Sequence, residues 1–295
     1  MAPRPIATPA QSHALSIPEI FELILLNLDT RTLLTKATRI CRTWTQFINS
    51  SPALQWALFF RPLDNVLNKS KIQNPLLAEV FPSIFRHPSA IPDDDMHDID
   101  SEDESDDYSE SHLVDVTFTT FDFVRRPHKL DAYMRPEASW RRMLVQQPPV
   151  YTLALLRSSL GHGGQHLYHY EVLSTNDHNE LSGGLRMEAL FEVLVFGEIW
   201  DQYDYPATQV AWGLEDLPKW TQRDLKLYGV GDLGLVLYTP FGENGRGRGG
   251  HRTGRDSEHD AVKNVKGRYD RLGIEPKYSE ETLILKRKTW GSLWD

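Results

Sequence analysis

Apolar positions crowd most densely between Leu15 and Phe60, where they recur at helical spacing. Ser16 and Glu19 have the S-x-x-E spacing of a capping box, with Leu15 before it and Ile20 inside it as a hydrophobic staple. Pro18 falls in the first turn, where no intrahelical N–H is lost. Ile17, Ile20, Phe21, Ile24, Leu25 and Leu28 then form the expected inner stripe of a first helix, and Leu23 and Leu26 point away from it. Asp29 is the expected cap of the next helix, with Leu28 placed to staple onto Leu33. Leu33, Leu34, Ala37, Ile40, Cys41, Trp44, Phe47 and Ile48 continue as one stripe until Ser50-Ser51-Pro52 ends it. Each off-stripe leucine costs roughly 1.5–3 kcal/mol if left wet. Either a later domain or another polypeptide must cover them.

Beyond this helical set, Asn74-Pro75 reads as a cap followed by proline at the first helical position, with Leu76, Leu77, Val80 and Phe81 on an apolar face ended by Pro82. The pattern predicts a helical linker over 62–92. Val114, Val116 and Phe118 alternate with polar residues as in a strand, continued after a slip in phase by Phe121 and Phe123. A helix is expected over Pro136–Val145, stopped by Pro148-Pro149. Tyr151–Leu156, Leu167–Ser174, Leu233–Thr239 and Thr282–Lys286 are strand candidates, and Leu185–Phe196 and Leu217–Tyr228 are helix candidates. Strands mixed irregularly with helices predict an α+β domain over 112–295 rather than a wound parallel sheet. No period repeats, which excludes propeller and leucine-rich-repeat architectures.

The chain has 295 residues and a net charge of −9. Eleven Asp or Glu fall between Asp93 and Ser111 with no Lys or Arg, and without them the balance is +2. The segment 93–111 is therefore expected to be a disordered acidic loop, and the rest carries no global charge that calls for nucleic acid or an acidic membrane. Residues 1–12 read as a flexible tail without the apolar run of a signal peptide. No apolar run approaches the ~18 residues of a membrane helix. A single cysteine permits no intramolecular disulfide and fits a reducing cytosol or nucleus. On its stripe Cys41 is expected to be a small buried hydrophobe rather than a nucleophile.

Several patterns imitate chemistry. Asp98, Asp100 and Glu102 alternate as in a calcium loop, but Asp103 stands where glycine is required. Ser101, with Glu104 three positions on, has weak acid-directed phosphorylation spacing. His162, His166 and His169 would share a helical face, yet Gly161, Gly163 and Gly164 break helix formation there. Gly245, Gly247 and Gly250 satisfy G-x-G-x-x-G without the flanking strand and helix that dinucleotide binding needs. The same stretch, Asn244–Arg255, holds five glycines and four arginines without an acid. It can be read as a phosphate-tracking arm, but it lacks aromatics for base stacking, and a Gly/Arg-rich loop over 242–268 is expected. Loose association of this loop with the acidic one is a further expectation, testable by its salt dependence. Nothing in the spacing selects an active site, a metal or a cofactor.

The order Glu19, Ile24-Leu25, Leu28, Leu33-Leu34 and Ile40-Cys41-Arg42-Thr43-Trp44 resembles the F-box, and the wider run, with PEASWRRMLVQQPP further on, resembles F-box proteins of filamentous fungi. Arg42 matches the polar member of the V-C-R-x-W signature, with Ile40 in place of Val; Ser16-Ile17 stand where the family has Leu-Pro. The resemblance implies an F-box over 13–61 that docks on a Skp-type adaptor through Ile20, Ile24, Leu25, Leu28, Leu33, Leu34, Cys41 and Trp44. It further implies, through that adaptor, a cullin scaffold and a non-catalytic role as receptor for a protein target of a ubiquitin ligase. Two alternatives stand beside it: nucleic-acid binding through the Gly/Arg arm, and action with the adaptor outside any ligase.

Overall fold

The computed structural model describes residues 16–62, 70–85, 113–160, 166–174, 183–197, 208–227, 230, 233–240, 252–278 and 286–290. The expected tail 1–12, the acidic loop 93–111, His162 and the glycines of the G-x-G-x-x-G lie outside the described residues, as does most of the strand expected at Thr282–Lys286. The chain divides into two compact units, Met1–Lys71 and Ile72–Asp295.

The first unit is helical: α1 (Pro18–Leu26), α2 (Thr30–Thr35), a 3-10 turn (Ala37–Arg39), α3 (Arg42–Ser50) and α4 (Pro52–Ala57). The cap of α1 falls on Ile17 rather than Ser16, with Pro18 at its start. Asp29 caps α2 as expected, accepting from the Thr32 N–H at 2.8 Å. The continuous stripe expected from Leu33 to Ile48 is broken into α2, the turn and α3. Threonine supplies the reason, because the Thr35 and Thr38 hydroxyls donate to the carbonyls of Arg31 and Leu34, each at 2.7 Å, and compete with the helical ladder. Ser51 ends α3 and caps α4, accepting from the Leu54 N–H at 3.1 Å. It also donates to Glu22, tying α4 to α1. Phe21, Leu25, Leu33, Ala37, Ile48, Leu54 and Leu58 form the core.

The second unit is mixed, and the whole chain is α+β as expected. A short pair joins β1 (Ile72–Gln73) to β2 (Gln146–Gln147). The helices α5 (Pro75–Val80) and α6 (Pro82–Phe85) follow β1. The segment expected to be a linker is thus in part a piece of this unit: Asn74 caps α5 and donates its side-chain amide to the Leu144 carbonyl at 3.1 Å. Phe81 is fully buried among Phe121, Phe123, Trp140 and Phe191.

Two expected elements do not form. Around Val114–Phe118 only Asp115 bridges, to Gln209, and the chain turns at Phe118–Thr120 into α7 (Asp122–Arg125) and α8 (Leu130–Tyr133). The aromatic spacing that imitates a strand instead buries Phe118, Phe121 and Phe123 in one cluster. The helix expected at Pro136–Val145 is a 3-10 turn, Ser139–Arg142, leading into extended chain. Hydrogen bonds from Asn74 N to Val145 O (3.0 Å), Val145 N to Leu185 O (3.1 Å) and Met187 N to Met143 O (2.9 Å) hold it extended. Gly184, at φ 104°, allows that approach, since a Cβ there would stand 2.4 Å from the Pro149 Cβ.

The main sheet has the order β5 (Gln209–Ala211), β6 (Leu235–Thr239), β3 (Thr152–Leu160), β4 (His166–Ser174), β7 (Lys286–Trp290). Only β3 and β6 run parallel among its pairs. The unbroken apolar runs Leu153–Leu156 and Leu235–Tyr238 are buried on both faces, as central strands require. Ala154, Leu156, Val236 and Tyr238 share one core cluster with Leu225 of α10 (Lys219–Leu227). His166 and His169 lie in β4, which removes the helical geometry on which a shared histidine face depended. Helix α9 (Met187–Phe196) carries Glu192 in its buried set. Helix α11 (Arg252–Leu272) occupies much of the stretch expected as a Gly/Arg loop, because Ala261, Val262, Val265 and Tyr269 supply a buried helical stripe. Gly273, at φ 62°, ends it in a Schellman turn, with Ile274 N donating to Tyr269 O at 3.0 Å.

Candidate partner-docking face

Helix α1, PEIFELILL, is apolar nearly all round, so periodicity alone cannot choose its inner face. Ring size decides it. Phe21 meets Trp44 at 4.7 Å and Phe47 at 4.9 Å between ring centroids, which turns Phe21 and Leu25 inward with Leu26 partly buried beside them. The inner stripe expected to contain Ile20 and Ile24 is therefore rotated. Ile20, Leu23 and Ile24 share the outer face at i, i+3 and i+4, exposed by 39%, 61% and 41%. Leu28 (36%) and Ile40 (59%) are exposed as well. The expectation for Leu23 holds, whereas Leu26 is packed against the core.

The eight residues that match the F-box pattern separate by physical role. Ile20, Ile24, Leu28 and Cys41 are at the surface. Leu25 and Leu33 are interior, and Leu34 and Trp44 pack half-buried against that interior. Cys41 is a correction to the buried hydrophobe expected: it stands at the N-cap of α3 in an extended conformation, because the stripe breaks just before it. Its neighbour Ile40 is outside for the same reason. Thr45 fastens the break by donating to the Thr38 carbonyl at 2.6 Å. The charge near α1 is modest. Glu19 sits in its first turn, where the helix dipole favours an acid, and hydrogen bonds from Thr32 hold the Asp29 carboxyl below its usual range.

Comparison with protein-family models, with curated proteins and with solved structures returned no match.

The second unit holds a buried charge cluster that sequence reasoning missed. Arg141, 1% exposed, pairs with Glu188 at 3.2 Å and Glu192 at 3.3 Å. Its guanidinium stands 4.9 Å from the Trp140 ring centre and 5.0 Å from that of Tyr269, and it donates to the carbonyls of Arg135 and Met134. Glu192 also accepts from the Tyr269 hydroxyl (3.2 Å) and the Lys277 and Tyr278 N–H groups (2.8 and 3.2 Å). Burial, with repulsion from Glu188, pushes the Glu192 carboxyl above its usual range even so. Burial likewise raises the Tyr269 phenol. The sequence signal was an acid in the middle of MEALFEVLVF. The cluster binds the 134–141 turn, α9, α11 and the chain after α11 to each other; every member is satisfied within the fold, which is the pattern of a structural network.

Among the described residues no group of three or more His, Cys, Asp or Glu is placed to hold a metal ion, and no helix is long and apolar enough to cross a membrane.

Proposed function

We propose that the chain is a non-catalytic F-box receptor, whose first unit docks on a Skp-type adaptor and whose second unit presents a protein target to a ubiquitin ligase. The observation that carries this reading is the outer face of α1, where Ile20, Leu23 and Ile24 stand in water beside a complete core. An apolar helix face left open by its own module is a form suited to burial against another polypeptide. The F-box signature supplies the kind of partner. Ligase action then needs no reacting side chain, because holding a target near a charged carrier replaces a bimolecular search with a high effective concentration.

The test is co-purification of the full chain with a Skp-type adaptor. Leu23→Asp and Ile24→Asp place a charge on the exposed face and are expected to lose adaptor binding while far-UV circular dichroism and the unfolding midpoint stay close to wild type. Leu33 is unsuited to this test, since Leu33→Asp would put a charge into the module's own core. Adaptor capture that survives both surface substitutions removes the reading. Capture of adaptor without cullin would favour action outside a ligase.

A further inference from the structure

Within the second unit, α7 and α8 face the middle of α11 across a groove of about 250 Å³. Its walls include Val124 and Leu130 on one side and Ala261 and Val265 on the other, with Asn264 and Arg271 along its length. That volume is below the range of drug-sized pockets, and it suits a single bulky apolar side chain. The walls are fastened from both ends. Glu258 accepts from the Phe118 N–H at 2.6 Å and the Thr119 N–H at 3.2 Å, and Arg268 forms an ion pair with Asp131. A groove braced in this way is formed before any ligand arrives, so little ordering opposes binding.

Among the residues that line the groove, the charged one is Arg271. Asp122 is committed to Arg126 and Lys129, and Asp131 to Arg268. Among the described residues, Arg271 commits only its Nε, to the Gly267 carbonyl at 3.1 Å. Asp260 lies one turn before Asn264, so the cationic end of the groove is the Arg271 end. Leu272, 43% exposed, extends the apolar surface there.

We infer that this groove is a peptide-docking site that seats one bulky apolar side chain flanked by acidic residues, the apolar group between α7–α8 and α11 and the carboxylates toward Arg271. It rests on the receptor reading only for the role of its ligand, which is then the target's recognition segment. The geometry stands without it.

The experiment uses the purified full chain and a labelled, end-blocked pentapeptide with phenylalanine at its centre and glutamates on both sides, followed by fluorescence anisotropy. Saturable binding is expected. Placing alanine at the centre, or lysines on the flanks, should weaken it by roughly tenfold or more. Asn264→Trp, at an exposed position, fills the groove, and Arg271→Glu reverses its charge; each should weaken binding to the same extent while leaving adaptor capture intact. Absence of saturable binding, or binding that neither substitution changes, overturns the proposal. So does a tenfold gain in affinity on deleting 93–111, which would make the chain's own acidic stretch the occupant. Peptide binding without adaptor binding supports the groove and removes the receptor reading, so the two fail separately.

Discussion

Helices α1 and α9 are close to each other in length and apolar content, PEIFELILL against MEALFEVLVF, and they end in opposite environments. In α1 only Phe21 and Leu25 are buried. In α9 eight of ten residues are, including Glu192. Composition does not account for this. The first unit has short helices around one small core and covers one side of α1, whereas α9 lies in a unit with a five-stranded sheet, an aromatic cluster and α11. An apolar helix reports that something will cover it; the size of its own module decides whether that cover is internal.

The contrast can be broken most forcefully at Arg141. Arg141→Met leaves Glu192 without its cation beside Glu188, and is expected to destabilise the second unit by roughly 3–5 kcal/mol, read from the urea midpoint. Adding Glu192→Leu should recover only part of that loss, since it removes the unpaired carboxylate but leaves the Tyr269 hydroxyl and the Lys277 and Tyr278 N–H groups without their acceptor. A single substitution with no effect would mean that α9 does not need its charges matched.

Leu25→Ala is the counterpart in α1. Leu25 is fully buried, and its truncation should cost about 2–5 kcal/mol of unfolding free energy through lost transfer and a residual cavity.

A smaller effect separates α9 from α7 by pH. The Glu192 carboxyl is raised by burial and then by Glu188. Between the unfolded value near 4.5 and the raised folded value the native carboxyl therefore holds a proton that the unfolded chain has released, and its contribution is fully present below 4.5 and lost as pH rises through the folded value. Asp122 runs the other way. Burial would raise it, but hydrogen bonds from Tyr133 and Lys129 prevail and lower it, so its contribution is present above 3.8 and lost as pH falls through the folded value. Subtracting the stability curve of Glu192→Gln from that of wild type is expected to isolate a component that declines as pH rises above about 4.5. A flat difference would show that Glu192 titrates alike in both states.

How much of this was legible depends on whether a signal was local. Asp29 and Asn74 were readable as caps because their bonds reach only three residues along the chain. The central strands were readable as apolar runs, and α9 as a periodic one. The inner face of α1 was not, because the choice among its apolar residues rests on Trp44 and Phe47. The same holds for Pro136–Val145, whose helical spacing yields to hydrogen bonds with Asn74 and Leu185, and for α11, whose stripe was hidden behind an arginine–glycine run. Of the candidate face, the presence of surplus apolar residues was visible, but not which of them remain outside.

The smallest expected stability effect bears most directly on the comparison. Leu23 is 61% exposed and absent from the core of its unit, so Leu23→Ala should change unfolding free energy by no more than about 0.5 kcal/mol. If the face is a docking surface, the same truncation should weaken adaptor capture by roughly tenfold or more, because a side chain that contributes nothing to folding contributes at the interface. A stability loss comparable to that of Leu25→Ala would instead place Leu23 under cover in solution, and α1 would then be a second α9. Stability and binding read on the same variant distinguish the two, since internal cover moves the first and external cover moves the second.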